Sequence, residues 1–274
     1  MLFAPSVALR GLFLCAVMTL TACGQMPPAP AAATKVDAIG TPPTSAIYIG
    51  NSFFYYNDGI TTHMARLIAA GMPGTRHRQT MITISGSGAD WHDVASYFRP
   101  DAVGRYSFAA DNKIVFNKID RLFDAAIMMD CSQCPVHPQL KSVFTEYARK
   151  NADIVRSHGA RPVYFMSWAY KDVPSMTGAL ADAYSRAGKE NNAQVIPAGL
   201  AFARSVALKP DLELYNADKR HPSLSGSYLA ACTTYAALFR KSPVGLSYTA
   251  GLDPAIARHL QTVAWETVQA YDPF

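Results

Sequence analysis

Short apolar runs alternate along this chain with longer stretches whose apolar residues recur at helical spacing. The short runs are rich in β-branched and aromatic residues and predict five strands, at 46–49, 80–84, 124–129, 161–168 and 194–196. The longer stretches predict helices at 58–71, 139–157, 174–191, 223–239 and 254–271. Because long crossovers join the strands, the right-handed crossover rule predicts a parallel sheet with helices on both faces.

One segment, 99–121, follows neither pattern. It contains aromatic residues, among them Tyr106 and Phe108, but they have no regular spacing. We expect this segment to form a lid or a small excursion beside a binding site.

Composition limits the kinds of protein that the chain can be. Half of its 274 residues are hydrophobic (50%), which is enough to bury a full core. Only 16% are charged, and the formal net charge of +5 is spread along the chain rather than collected in a Lys/Arg run. We therefore expect one folded domain over residues 45–274 and no nucleic-acid partner.

The first residues have the features of a targeting segment. Arg10 precedes an apolar run of about ten residues, which is too short to span a bilayer as a helix. The run closes on Leu20-Thr-Ala-Cys23, which resembles the bacterial lipoprotein signal, where cleavage leaves an acylated Cys at the new N-terminus. An ordinary secretory signal with a chance Cys is the alternative. We expect a signal peptide at 1–22 and lipidation of Cys23.

Residues 23–44 are rich in Pro, Ala and Thr and have no apolar periodicity. This composition is typical of an extended tether between a lipid and a domain. Gln25, rather than Asp, follows Gly24, and in the resembled class this favours the outer membrane. The expected location is the bacterial cell envelope, where the acyl chains anchor the protein to the membrane without spanning it and the domain faces the periplasm or the exterior.

Two polar motifs combine the residue types that serine hydrolases use. The apolar run 46–49 is followed at once by Gly-Asn-Ser52, where an open α/β sheet binds its ligands and the next helix N-terminus stabilises negative charge. Late in the chain, Asp218 and His221 are three residues apart, and Pro222 follows. The three side chains supply a nucleophile, a base and a carboxylate that orients the base.

Each motif also has a simpler interpretation. Ser52 could cap a helix or lie in a turn, and residues 218–221 could be an ordinary polar surface loop. The position of Ser52 directly after a strand, combined with the distant Asp-x-x-His, favours the catalytic interpretation.

The same motifs resemble those of the SGNH (GDSL-like) hydrolase superfamily. Gly86, within Ile-Ser-Gly-Ser-Gly-Ala-Asp-Trp, matches the second block of that superfamily. Further similarity to an exported bacterial branch lies at 165–170, 195–199 and 221–229. The resemblance implies a three-layer α/β/α sandwich of flavodoxin type with a parallel sheet of about five strands. It also implies a catalytic triad of Ser52, His221 and Asp218, oxyanion donors at the Ser52 and Gly86 N–H groups, and no metal or cofactor.

One sequence motif, at residues 128–135, departs from the superfamily pattern. After the third strand the superfamily usually has an Asn whose side-chain amide completes the oxyanion hole, but residues 128–135 contain no Asn. Loss of one oxyanion donor costs about 2.7–4 kcal/mol in a serine hydrolase. Gln133, or alternatively Ser132, is the residue that could replace this donor.

Cys131 and Cys134 are expected to form a disulfide, because an exported compartment permits it. Cys232 would then remain unpaired and buried in a helix. A redox-active pair, a zinc site that includes His137 and a pair of reduced thiols are the alternatives for this motif.

Taken together, the sequence predicts a lipid-anchored serine hydrolase acting on carboxylic esters. Its expected substrate is a small ester or an acylated, for example O-acetylated, carbohydrate of the envelope or the environment. The alternatives are a non-catalytic envelope lipoprotein that binds glycan or a protein partner through the same cleft, and a thiol-handling lipoprotein.

Overall fold

The computed structural model describes residues 41–99, 102–103, 105–117, 119 and 121–274. The expected signal peptide at 1–22, the expected lipid site at Cys23 and most of the expected tether lie outside these residues. In the described part, no helix is both long and apolar enough to cross a membrane. Thr44 already belongs to the folded part, because its N–H and hydroxyl both donate to the Asp124 carboxylate at 2.7 Å.

A single parallel sheet forms the centre of the structure. The strands of the described residues are β1 (Ser45–Gly50), β2 (Arg78–Thr83), β3 (Tyr106–Phe108), β4 (Ile114–Phe116), β5 (Ala125–Met128), β6 (Arg161–Phe165) and β7 (Gln194–Ile196). Five of them form one sheet in the order β2-β1-β5-β6-β7, and every neighbouring pair is parallel. β3 and β4 pair separately as an antiparallel hairpin within the segment expected to be a lid or an excursion.

Helices cover both faces of this sheet. They are α1 (Ser52–Tyr55), α2 (Ile60–Gly71), α3 (Val94–Tyr97), α4 (Lys141–Ser157), α5 (Met176–Glu190), α6 (Ala198–Leu208), α7 (Leu224–Phe239) and α8 (Pro254–Tyr271). In β1, Tyr48 belongs to the hydrophobic cluster that includes α2, α7 and α8, whereas Ile47 and Ile49 belong to the cluster that includes α4 and α5. This alternation confirms the predicted three-layer α/β/α sandwich.

Helix α6 is the main element that the sequence pattern does not predict. It follows β7 directly after Pro197, and residues 195–203 are apolar almost throughout, so they show no helical spacing. Gly199 lies near its start, where a Cβ atom would come within 2.2 Å of the Ser167 carbonyl oxygen. A glycine is needed here because α6 packs directly against the backbone that follows β6.

This close packing predicts the effect of adding one methyl group. We expect Gly199→Ala to lower the free energy of unfolding by about 1–3 kcal/mol, because the new Cβ displaces backbone atoms. Gly178→Ala in α5 is the matched control, since a Cβ there meets nothing within 4 Å. The control should be neutral or stabilising by up to about 1 kcal/mol. Urea unfolding of both variants measures the difference, and equal stabilities would contradict the close approach.

Candidate active site

Ser52 lies where β1 ends and a helix begins. The Asn51 side chain caps α1 by accepting the Phe53 N–H at 3.2 Å, and Ser52 is the first residue of that helix. Gly50 allows the turn to pack tightly, because a Cβ atom there would lie 2.6 Å from Met129 Cγ. The serine is thus held at the carboxyl end of an interior strand, as its sequence motif predicts.

The structure brings Ser52, His221 and Asp218 together. His221 Nε2 lies 2.8 Å from Ser52 Oγ, and the other ring nitrogen, Nδ1, is hydrogen-bonded to Asp218 Oδ2. A carboxylate can only accept, so Nδ1 carries the proton and Nε2 accepts from the serine hydroxyl. This is the hydrogen-bond order of a serine hydrolase triad.

The loop from Asp218 to His221 folds back on itself. Asp218 Oδ1 accepts the N–H groups of Arg220 and His221, each at 2.9 Å, and Lys219 between them has a φ of 65°. Slight burial raises the pKa of Asp218, but hydrogen bonds from the His221 ring and from these two N–H groups outweigh it, so the pKa lies below its usual value. Asp218 is therefore a carboxylate at neutral pH.

Residues that follow β6 hold this loop in place. The Trp168 indole N–H donates to the Arg220 carbonyl at 2.9 Å, and the Lys171 N–H donates to the Lys219 carbonyl at 2.9 Å. Trp168 is fully buried and is one ring of a three-ring stack. Its neighbours in the stack are Phe53, with centroids 4.4 Å apart, and Phe202 of α6, at 4.1 Å.

The His221 ring is also held between aromatic side chains. Tyr56 stacks on it with ring centroids 4.3 Å apart and an interplanar angle of 13°. Phe53 meets it edge-on at 5.6 Å. Sequence reasoning missed the role of Tyr56, although the aromatic run directly after Ser52 was visible. The two rings restrict the imidazole to the plane in which it reaches Ser52.

Gly86 lies in the tight turn that follows β2. The Ser87 N–H donates to the Ile84 carbonyl at 3.1 Å, and Gly86 has a φ of 71°, which glycine adopts without strain. Within the described residues, the N–H groups of Ser52 and Gly86 donate to no protein acceptor. Both donors are therefore free to bind a ligand oxygen.

His92 is hydrogen-bonded to this turn, a role that the sequence did not indicate. Its Nε2 lies 3.1 Å from both Ser87 Oγ and the Gly50 carbonyl, and its Nδ1 lies 3.1 Å from the Tyr97 hydroxyl. Burial lowers the pKa of His92, although the Gly50 carbonyl and Asp90 partly oppose this effect. The ring is thus a buried, neutral support that connects the end of β1 to the loop after β2.

Asp130 is a second buried polar residue beneath the site. It follows β5, is only 3% exposed, and its Oδ1 accepts the N–H groups of Ala89 at 2.8 Å and Cys131 at 2.7 Å. Burial raises its pKa to about 6, with a further contribution from Asp90, while the two N–H groups oppose the shift. This carboxylate joins the loop after β2 to the loop after β5.

The loop after β5 is closed by a disulfide between Cys131 and Cys134. Both sulfur atoms are therefore occupied, and the cluster of Asp130, Cys131 and Cys134 does not offer a set of free metal ligands. Cys232 is buried in α7 and is the free cysteine of the described residues. The expected disulfide and the expected burial of Cys232 agree with these positions.

Gln133, the expected oxyanion donor, lies between the two cysteines of the disulfide. Its side chain is exposed, and its carbonyl accepts the N–H groups of Val136 and His137. Ser132, the alternative, shares a hydrogen bond with the Tyr170 hydroxyl at 2.7 Å. Neither side chain is fixed at the Ser52 hydroxyl, so the donor role of Gln133 stays a prediction.

Comparison with known proteins identifies the fold. No family model matches the chain, and no curated protein matches its sequence. Among solved structures, a DUF4886 family protein from Bacteroides uniformis has a TM-score of 0.57 at 17% identity, over 83% of this chain and 95% of that one. A candidate SGNH hydrolase from Slackia heliotrinireducens has a TM-score of 0.53 at 20% identity, over 71% of this chain and 98% of that one.

An acetylxylan esterase from Geobacillus stearothermophilus, solved as a catalytic mutant, has a similar fold. Its TM-score is 0.52 at 14% identity, over 73% of this chain and 96% of that one. At these identities the comparisons establish the fold. The chain has the fold of the SGNH (GDSL-like) hydrolases, as the resemblance of its motifs implies.

The buried carboxylate of Asp130 predicts how stability depends on pH. Its pKa is about 6 in the folded chain and near its ordinary value of 3.8 in the unfolded chain. Between these values the folded state binds more protons, so the Asp130 contribution to the free energy of unfolding falls as pH rises. Asp130→Asn keeps an oxygen acceptor for both N–H groups without a charge. We expect it to be more stable than wild type at about pH 7.5, by at most about 3 kcal/mol.

Urea unfolding from about pH 4 to 8 measures this difference. The gain from Asp130→Asn should shrink as pH falls through 6, where the wild-type carboxyl becomes neutral. Asp211→Asn removes an exposed carboxylate and is the matched control for loss of charge. The prediction would be wrong if the free energies of unfolding of Asp130→Asn and wild type differed by the same amount at every pH.

Proposed function

We propose that the protein is a serine hydrolase that cleaves carboxylic esters. The observation that carries the proposal is the continuous hydrogen-bonded series Ser52–His221–Asp218 at the carboxyl end of the parallel sheet. Similarity of fold to an acetylxylan esterase is consistent with this chemistry. Their geometry supports a role for each of these three residues.

In the proposed reaction, Ser52 Oγ attacks the ester carbonyl while His221 Nε2 takes its proton. Asp218 holds the ring in the required tautomer and stabilises the imidazolium that forms. The collapsing tetrahedral intermediate expels the alcohol, which receives the proton from His221, and water then releases the acyl group by the same steps in reverse order. The free N–H groups of Ser52 and Gly86 are the proposed donors to the oxyanion.

An acylated carbohydrate is the substrate class that we favour. Trp91 and Tyr55 are exposed aromatic residues on the segments that carry Gly86 and Ser52, and the Tyr55 hydroxyl is hydrogen-bonded to Ser85 at 2.6 Å. Aromatic side chains combine an apolar face with a polar edge, which suits the mixed surface of a sugar ring. The expected export of the chain supports an envelope or environmental glycan as the source.

Substitutions within the triad test the proposed activity. Ser52→Ala and His221→Ala each remove a member of one functional unit, so each should reduce ester turnover to near background, and the double variant should be little worse. Asp218→Asn should be milder but still severe, because the imidazole loses its orienting partner. The measurement is hydrolysis of acetyl, butyryl and acetylated-sugar esters, with exposed Ser142→Ala as the matched control.

A second candidate function is a non-catalytic binding protein that uses the same cleft. The observation that favours it is the absence of Asn from residues 128–135, where SGNH hydrolases usually have an oxyanion donor. A fluorophosphonate probe distinguishes the two, because only an activated serine reacts with it. Wild-type turnover equal to that of Ser52→Ala, without labelling of Ser52, would favour the binding protein.

We also propose that acyl chains on Cys23 anchor the mature protein in the outer membrane. The proposal rests on the string Leu20-Thr-Ala-Cys23 and on the Pro- and Ala-rich tether that follows. We expect the wild-type protein to partition into detergent and Cys23→Ser to be soluble or unprocessed. Mass spectrometry of the purified N-terminus is the direct measurement, and an unmodified N-terminus at another residue would refute the anchor.

A further inference from the structure

The hairpin formed by residues 105–117 carries a continuous apolar face. Tyr106 pairs with Phe116, and Phe108 pairs with Ile114. Side chains of paired residues, and of every second residue along a strand, point to the same side of a sheet. These four side chains therefore share one side of the hairpin, which we call the apolar face. The rings of Tyr106 and Phe108 lie 6.0 Å apart in an edge-to-face contact, which agrees with this arrangement.

All four side chains of the apolar face are exposed. The exposed fractions are 46% for Tyr106, 71% for Phe108, 56% for Ile114 and 66% for Phe116. Nothing in the described part of the chain covers them. Monomeric soluble proteins rarely expose large apolar side chains in a contiguous group, and such groups mark an interaction surface.

The polar residues of the hairpin favour a lipid surface as the partner. Arg105 and Lys113 directly precede Tyr106 and Ile114, so by the same alternation their side chains belong to the opposite side of the hairpin, and Lys113 is paired there with Asp111 at 2.8 Å. An apolar, partly aromatic face with cationic side chains on the opposite side is typical of segments that lie in the headgroup region of a bilayer, where long cationic side chains reach anionic headgroups.

The proposed anchor brings a bilayer within reach of the hairpin. Eighteen Cα–Cα steps lead from Cys23, the proposed acylation site, to Thr41, the first described residue, and a chain of this length spans at most about 60 Å. A tether of this length keeps the domain at a high effective concentration near the membrane, so a weak second contact is enough to orient it.

We propose that the apolar face of the hairpin inserts into the headgroup region of an anionic phospholipid bilayer. It forms a second membrane contact beside the acyl anchor, and in this respect the inference rests on the proposed anchor. The strands have only three residues each, so the hairpin lies in the membrane surface and does not span it. An isolated two-stranded hairpin is marginally stable in water, and burial of this face would stabilise it.

Vesicle binding tests the proposal without the acyl chains. The mature chain, residues 23–274 with Cys23→Ser, is sedimented with vesicles of phosphatidylethanolamine and phosphatidylglycerol. We expect binding that weakens with added salt and that falls by about tenfold or more when Phe108→Ser and Phe116→Ser are combined. Val115→Ser is the matched control, because it removes an exposed apolar side chain from the opposite face of the same hairpin, and it should change binding by less than about twofold.

A second measurement uses the lipidated protein in the same vesicles. A fluorophore on Phe108→Cys should be quenched by nitroxide-labelled lipids, whereas a fluorophore on Lys150→Cys, on exposed α4, should not. Absence of vesicle binding together with unquenched Phe108→Cys would overturn the proposal. So would a dimer in analytical ultracentrifugation that the double Ser variant dissociates, since the face would then bind a second copy.

Ester turnover of the same preparations separates this inference from the proposed function. The proposal predicts that the double Ser variant loses vesicle binding, whereas its ester turnover in solution equals that of wild type. Vesicle binding by wild type without any turnover would contradict the esterase but not the membrane contact.

Discussion

The side-chain amide of Asn51 connects the three loops on which the candidate site depends. Its nitrogen donates to the Ser87 carbonyl at 3.0 Å and to the Asp130 carbonyl at 3.2 Å, while its oxygen accepts the Phe53 N–H. Because these groups are buried, each would cost about 1–3 kcal/mol if left unsatisfied. Together with His92 and Asp130, Asn51 therefore fixes the positions of Ser52, the turn with Gly86 and the loop after β5 relative to one another.

Two separate networks meet at the contact between Ser52 and His221. The sheet and the Asn51 amide position the serine, whereas Trp168 and the backbone after β6 position the histidine loop. Trp168 also stacks on Phe53, the residue next to the serine. This ring contact links the two networks directly, so the 2.8 Å separation of Ser52 Oγ and His221 Nε2 does not depend on the flexible ends of long side chains.

The sequence predicts those parts of the fold and site that depend on local pattern. Alternation of apolar runs and helical spacing is enough for the sheet, and the triad residues follow from where their motifs stand relative to those elements. The sequence does not predict helix α6, because apolar residues lie on nearly all sides of this helix and show no helical spacing. The roles of His92, Asp130 and Tyr56 are not predicted, because they depend on partners that are distant along the chain but close in the fold.

The stack of Tyr56 on His221 has an electrostatic consequence for the proposed reaction. An aromatic face attracts a cation within about 6 Å, with a gain of roughly 0.5–2 kcal/mol, and the two ring centroids are 4.3 Å apart. A neutral imidazole gains only packing from this contact, whereas the imidazolium formed during ester attack gains the attraction as well. In the proposed reaction Tyr56 would thus stabilise the charged state of His221 more than its neutral state, and this ring contact would raise the rate by acting through His221.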